Sequence, residues 1–264
     1  MSATQKANGT YIYCITPAQS FEANSPPLHT QPIGNPDTPV RTVGFEDLVA
    51  VVSDATQSRY DVSRENATAH EQAVQEVMER GVVLPLSFGT IARNDQDVVE
   101  RLLKPEFDEL HQQLERVQGR AEVNLKVFWR QERLFAEILA ENEPVRDMVE
   151  VVTAGEASYD DRIELGQLTD EVISRKREQE AQSLLDTLRP LATEVKLNPI
   201  LSDMMVLNAA FLVESSRVND FDAQVRKLEE QQAGRTIFRY VGPVPPYNFV
   251  DLKVHLGKEA HGIT

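Results

Sequence analysis

The residues that most often carry chemistry are few in this chain and poorly spaced for it. "AHEQAV" sets His70 before Glu71, but the second histidine of a zinc-binding H-E-x-x-H helix is missing. His29, His111, His255 and His261 are scattered, so no two of the five histidines share an element at ligand spacing. His70 falls on an apolar stripe at helical spacing and reads as a core-edge histidine. Cys14 is the one cysteine, which excludes an intramolecular disulfide and a multi-thiolate metal site. In a strand it packs as a small hydrophobe, and no base stands ready to activate it. Carboxylate pairs such as Asp160 with Asp161, or Glu229 with Glu230, arise by chance on an acidic surface, and a G-x-S-x-G nucleophile motif is absent. The expectation is a protein with no catalytic residue, cofactor or metal.

Two apolar stretches stand out instead. "VVLPLSFGT", residues 82–90, lacks the lysine and second glycine of a phosphate loop. Leu84, Leu86 and Phe88 alternate with Pro85 and Ser87, which predicts a strand with Pro85 at an edge or bulge and Gly89 at a bend before Thr90. "GPVPPYNF", residues 242–249, carries Pro243, Pro245 and Pro246 after Gly242. Those prolines hold the backbone extended and leave Tyr247 and Phe249 to pack, so the segment reads as a stiff connector that pins the last strand, with an exposed proline-motif ligand as the alternative.

Elements that would position these stretches follow from period and punctuation. "TYIYCIT" is aromatic and β-branched, a first strand, and "VRTVGFEDLVAVVSDA" offers a hairpin. Ala67, Val74, Val77 and Met78 mark a helix capped by Ser63 and followed by Gly81 as a C′ glycine. Asn94 or Asp95 caps a helix that Pro105 interrupts, and Phe107, Leu110, Leu114 and Val117 continue the stripe. In "AEVNLKVFW", Val123, Leu125, Val127 and Trp129 face one way, with Glu122, Asn124 and Lys126 on a wet face. Helices follow to Pro190. "SRKREQE" in the long one reads as a solvated stretch between two leucine patches. "TEVKLN", "MMVLNAAFLV" and "RTIFRYVG" then read as strands, with a helix between the last two capped by Asn219 and stopped by Gly234.

The pattern predicts an α+β fold of two domains, 1–130 and 131–264, each a small antiparallel or mixed sheet with helices packed on it, the first with helices on one face. With 42 acidic against 27 basic residues the formal charge is −15, and without a segregated basic patch nucleic acid is excluded as a partner. No stretch approaches a membrane span and the N-terminus has no apolar leader, so the chain reads as soluble and cytoplasmic.

"YIYCIT", "LPLSFGT", "NLKVFW" and "GPVPPYNF" together resemble the gas vesicle protein F/L family (GvpF/GvpL). That family shows an aromatic-rich first strand, a "PLRFGT"-like segment after the first long helix, a strand ending near a Trp, and a "GPWPPYSF"-like segment near the C-terminus. The four matches occur in the same order across nearly the whole chain. Ser87 stands where the family usually has Arg, and Val244 where it often has Trp.

The resemblance implies a non-enzymatic accessory protein of gas vesicle formation with a ferredoxin-like C-terminal domain. Its implied partners are the main gas vesicle shell protein (GvpA-type) and other accessory proteins. A partner covering the apolar face of a shell subunit would suppress its aggregation, and the high net charge would keep the complex soluble. The expected contact surface is the N-terminal sheet edge at Leu84, Leu86, Phe88, Gly89 and Thr90, with Pro85 and the 242–249 segment as structural motifs. The rival reading is a small-molecule-binding regulatory module built of two ferredoxin-like units.

Overall fold

A computed structural model describes residues 9–21, 26–34 and 36–252; His255 and His261 lie outside them. By contact density the chain forms two units: residues up to Glu122 together with those from Val244, and Val123–Pro243. This differs from a single boundary at 130. One strand, Arg120–Trp129, runs across the first junction, and the segment after Val244 groups with the first unit.

The first unit is organised around β1 (Gly9–Pro17), with the hairpin of β2 (Arg41–Phe45) and β3 (Leu48–Ala55) on one side. The short strands β4 (Leu84–Pro85) and β5 (Ile91–Ala92) pair with β1 on the other, giving the order β2-β3-β1-β4 with β5 off that path. The register of β1 against β3 slips between Ile12 and Cys14, leaving Tyr13 as an extra residue. The bulge resets the side-chain alternation. Tyr11, Tyr13 and Cys14 therefore share one cluster with Ala73, Val74 and Val77 of helix α1 (Arg64–Met78). Ile12 and Ile15 pack the other way, against Leu102, Leu103 and the α3 (Phe107–Val117) residues Leu110, Leu114 and Val117.

Helices thus cover both faces of this sheet, against the expectation of one. A sheet buried on both sides needs unbroken apolar strands, and "YIYC" and "LVAVV" have that character. Between α1 and α3, helix α2 (Asp95–Val98) is capped by the Asn94 side chain and runs into a π-helical turn, Val99–Leu103. Ser63 caps α1 through the Asn66 amide, 3.1 Å away, as the sequence indicates. Gly81 does not act as a C′ glycine: Glu79 closes the helix in ordinary right-handed geometry, and the φ of Gly81 is not positive.

The second unit runs β6 (Arg120–Trp129), α4 (Gln131–Glu141), α5 (Glu143–Thr153), α6 (Tyr159–Leu188), β7 (Glu194–Leu197), β8 (Met205–Glu214), α7 (Val218–Gln231) and β9 (Thr236–Val244). Its sheet order is β7-β8-β6-β9. With the helices α4–α6 taken together as one crossover, this is the β-α-β-β-α-β arrangement of a ferredoxin-like fold. Val123, Leu125, Val127 and Trp129 of β6 enter one core with Leu184, Leu185, Leu188, Phe211 and Phe221. The first unit has a different strand order, so the chain holds one ferredoxin-like unit and not two. Asn219 is not the α7 cap; Arg217 occupies that place without a side-chain cap bond.

"SRKREQE" is solvated only in part: Ser174, Arg175, Glu178 and Gln179 are exposed, while Lys176, Arg177 and Glu180 are half-buried and bound. Lys176 lies 3.1 Å from Glu137 and 3.1 Å from Glu141, and its side chain is only 15% exposed. Arg177 donates to the carbonyls of Met205 and Asp203 at 2.9 Å each. Arg235 forms a two-pronged pair with Glu137, at 2.6 and 2.9 Å, and also binds Glu180, which accepts from Trp129 Nε1 at 2.8 Å. The period of α6 shows which residues share a face, but two of the carboxylates that receive Lys176, Glu137 and Glu141, come from α4.

Candidate partner-binding site

Of the strand expected through Leu84, Leu86 and Phe88, only Leu84–Pro85 is in the sheet, and residues 86–90 leave it as a turn. Leu84 pairs with Ile15 and Pro85 with Cys14 at the end of the strand order, the edge position expected for Pro85. The Leu86 amide donates to the Tyr13 carbonyl at 3.0 Å, and then the chain departs. Leu84 and Leu86 are 0% and 2% exposed and belong to the core, so neither presents a surface. Ser87 and Gly89 are exposed, and Phe88 and Thr90 are half-buried. Gly89 has φ +85°, the left-handed bend its position suggested, and an added Cβ would meet nothing within 4 Å. The Thr90 hydroxyl donates back to the Ser87 carbonyl at 2.7 Å and closes the loop.

A buried polar relay fixes this turn from beneath. His70 Nε2 lies 3.1 Å from the Leu86 carbonyl oxygen, which can only accept, so Nε2 carries the proton. His70 Nδ1 must then accept from the Tyr11 hydroxyl, 3.0 Å away. The same hydroxyl oxygen accepts from the Gly89 amide at 3.0 Å. The relay Gly89 N–H to Tyr11 O–H to His70 to Leu86 thus spans the turn at both ends, with every partner neutral. Burial pulls the His70 pKa down from 6.5 to about 4, against a smaller opposing effect of the Leu86 bond. Burial likewise raises the Tyr11 hydroxyl, which stays protonated.

Rings enclose the relay. Tyr13 stacks on His70 at 5.7 Å between centroids, and Phe88 and Tyr247 lie 5.9 and 6.3 Å from it. Tyr13 is held in turn by Ser53 at 2.9 Å and the Ile33 amide at 2.7 Å. His70 is therefore a core histidine that joins a sheet-edge carbonyl and a tyrosine into a rigid mount. Cys14 is fully buried, and burial pushes its thiol pKa up, away from thiolate chemistry.

The 242–249 segment is not extended throughout. Gly242–Pro243 is a cis peptide, and a Cβ on Gly242 would come within 2.6 Å of Val123 Cγ1. Beyond Pro245 the chain turns, the Phe249 and Val250 amides donating to the Pro246 carbonyl at 3.1 Å each. Phe249 is 5% exposed, and Tyr247 packs beside the relay, as the connector reading requires. Pro245 and Pro246 are buried too, which leaves the exposed-ligand alternative without an accessible motif.

Sequence reasoning missed what holds this segment. Glu122, placed on a wet face by alternation, is 1% exposed. Its carboxylate accepts from the Asn248 amide and from Asn248 Nδ2, both at 2.7 Å. The asparagine inside "PYNF" was the available signal: a side-chain donor beside its own backbone donor suits a buried carboxylate.

Among the described residues no group of three His, Cys, Asp or Glu could hold a metal ion, and no helix is long and apolar enough to cross a membrane. The fold and site define an α+β protein of two units with a rigidly mounted surface turn. A model of the family described as gas vesicle synthesis protein GvpL/GvpF matches residues 9–251. A gas vesicle protein F of Streptomyces sp. (strain CB03234) is 32% identical over 244 residues, 92% of this chain and 99% of that protein. The crystal structure of GvpF from Anabaena sp. PCC7120 superposes with a TM-score of 0.78 at 28% identity, covering 93% of this chain and 99% of that one. GvpF from Microcystis aeruginosa gives a TM-score of 0.76 at 26% identity, over 93% and 100% of the two chains. The chain belongs to the GvpL/GvpF family of gas vesicle synthesis proteins.

Proposed function

We propose that this protein is a non-enzymatic accessory factor of gas vesicle formation that binds the main shell protein (GvpA-type) in the cytoplasm, associates with the forming vesicle and with its other accessory proteins, and limits shell-protein aggregation. Family membership across residues 9–251 supports the role in gas vesicle formation. The observation that carries the binding surface is the exposed turn Ser87–Thr90 held on the neutral Tyr11–His70 relay. A turn fixed before binding loses little conformational freedom on contact. Its contact residues are Ser87, Phe88, Gly89 and Thr90, with Leu84, Pro85 and Leu86 as the buried base. Gly242, Pro243, Pro245, Pro246, Tyr247 and Phe249 serve as structural motif.

A chain of charge −15 would also keep a complex with an apolar subunit in solution. The test is co-expression of the full chain with the main shell protein, measuring soluble shell protein by sedimentation and co-purification. Wild type should retain shell protein in a defined complex, and Ser87→Trp, which blocks the turn without touching the relay, should lose most of it. Equal retention by the variant would refute the turn as the contact surface, and no retention by wild type would refute shell binding.

A further inference from the structure

We propose that β9 is a docking edge for an extended segment of a partner chain, one with an acidic residue flanked at i−2 and i+2 by apolar ones. This does not depend on the turn at 87–90. β9 ends the order β7-β8-β6-β9, so one side of its backbone has no strand partner among the described residues. An open edge of this kind templates strand addition.

The side chains say what would fit. Phe238 and Tyr240 turn inward to the helix-side core, while Ile237, Arg239 and Val241 project from the opposite face. Ile237 and Val241 are 39% and 58% exposed, large apolar groups on either side of a cation. Arg239 lies over the Phe128 ring of β6, 5.0 Å from its centroid, which holds the guanidinium on this face. Lys126 stands two residues before Phe128 on β6 and projects from the same face. Neither Arg239 nor Lys126 forms an ion pair among the described residues, in a protein with 42 acidic side chains. The stripe is therefore apolar, cationic, apolar, and its complement is apolar, acidic, apolar.

A second copy of the chain is a poor occupant. Antiparallel self-pairing that sets Ile237 against Val241 necessarily sets Arg239 against Arg239, and like charges directly opposite are destabilising. The same cation thus disfavours homotypic association and selects an acidic strand. Natural edge strands use charge in this way.

The test uses the full chain and two labelled peptides, Thr-Ile-Thr-Glu-Thr-Val-Thr and the same sequence with Lys in place of Glu. Amide shifts and hydrogen exchange over Thr236–Val241 should respond to the Glu peptide, with affinity about fivefold above that of the Lys peptide. Arg239→Glu, an exposed substitution whose folding circular dichroism verifies, should reverse that preference. Equal response to both peptides, no response up to millimolar peptide, or a response confined to other strands would overturn the proposal. So would a concentration-dependent dimer that protects the same amides.

Discussion

In the first unit, Tyr11, His70 and the Leu86–Gly89 turn are joined by neutral donors and acceptors, each with one assignable direction. In the second, Arg235 and Lys176 sit among Glu137, Glu141 and Glu180, and Trp129 adds a neutral donor at the rim. Both networks tie a late segment of chain to an early one. They differ in exposure and in what they respond to. The neutral relay is enclosed by rings and costs little to bury once every partner is present. The ionic cluster is 15–29% exposed at Lys176, Glu180, Glu137 and Arg235, so water and salt reach it. A rigid mount for a surface turn is thus made of uncharged groups, while the helix layer is fastened by charge.

Breaking the ionic side should give the largest effect. Arg235→Ala removes the two-pronged partner of Glu137 and the guanidinium on Glu180, leaving Lys176 to balance both carboxylates, and should cost about 2–3 kcal/mol. Trp129, the one tryptophan, donates to Glu180 and makes its fluorescence a direct readout in urea titrations. Hydrogen bonding to Arg235 holds the Glu137 carboxyl below its ordinary value, with Lys176 adding to the effect. Its contribution is therefore present above the unfolded carboxylate pKa and is lost as pH falls through the folded one. Next comes Tyr11→Phe, which strands the Gly89 amide and His70 Nδ1. It should cost about 1–2 kcal/mol, with faster exchange of the Gly89 amide.

The pH response separates the networks further. His70 has a folded pKa of about 4 against an ordinary 6.5, so unfolded chains take up a proton that folded ones refuse. Its contribution is complete above pH 6.5 and falls as pH drops toward 4. Tyr11, Tyr13 and Tyr247 face the ring and stay neutral through this range. A wild-type melting curve should weaken between pH 6.5 and 4.5 more than that of His70→Gln. Gly89→Ala should cost about 1 kcal/mol, from φ alone, since nothing crowds the new methyl. Smallest is salt: 1 M NaCl should shrink the Arg235→Ala loss by about 0.5 kcal/mol and leave the Tyr11→Phe loss unchanged.

Periodicity in the sequence is enough to place nearly every strand and helix, because apolar spacing records which side faces a core. The stripe on α3 and the alternation in β6 are of this kind. The Gly89 bend was also legible, since a glycine closing an apolar run has few other uses. Faces that turn on tertiary partners were not. Glu122 obeys the alternation of an exposed residue and is buried because Asn248, far along the chain, returns to it. "SRKREQE" has the charge pattern of a solvated helix, and four of its residues are exposed; the binding of Lys176, Arg177 and Glu180 depends on where α4, Arg235 and the Asp203 and Met205 carbonyls lie. Leu84 and Leu86 fit an edge strand, but an edge strand in a sheet covered on both faces has no free apolar surface. His70 could be placed near a core but not in a relay, because the relay needs Tyr11, His70 and the Leu86–Gly89 turn, far apart in sequence, to meet at one ring.

The measurement that bears most directly on the mount is the ring nitrogen spectrum of His70, followed by long-range proton–nitrogen correlation from pH 7 to pH 3.5. The relay requires a neutral ring protonated at Nε2, titrating near pH 4. A ring protonated at Nδ1, or one that titrates near 6.5, would contradict it.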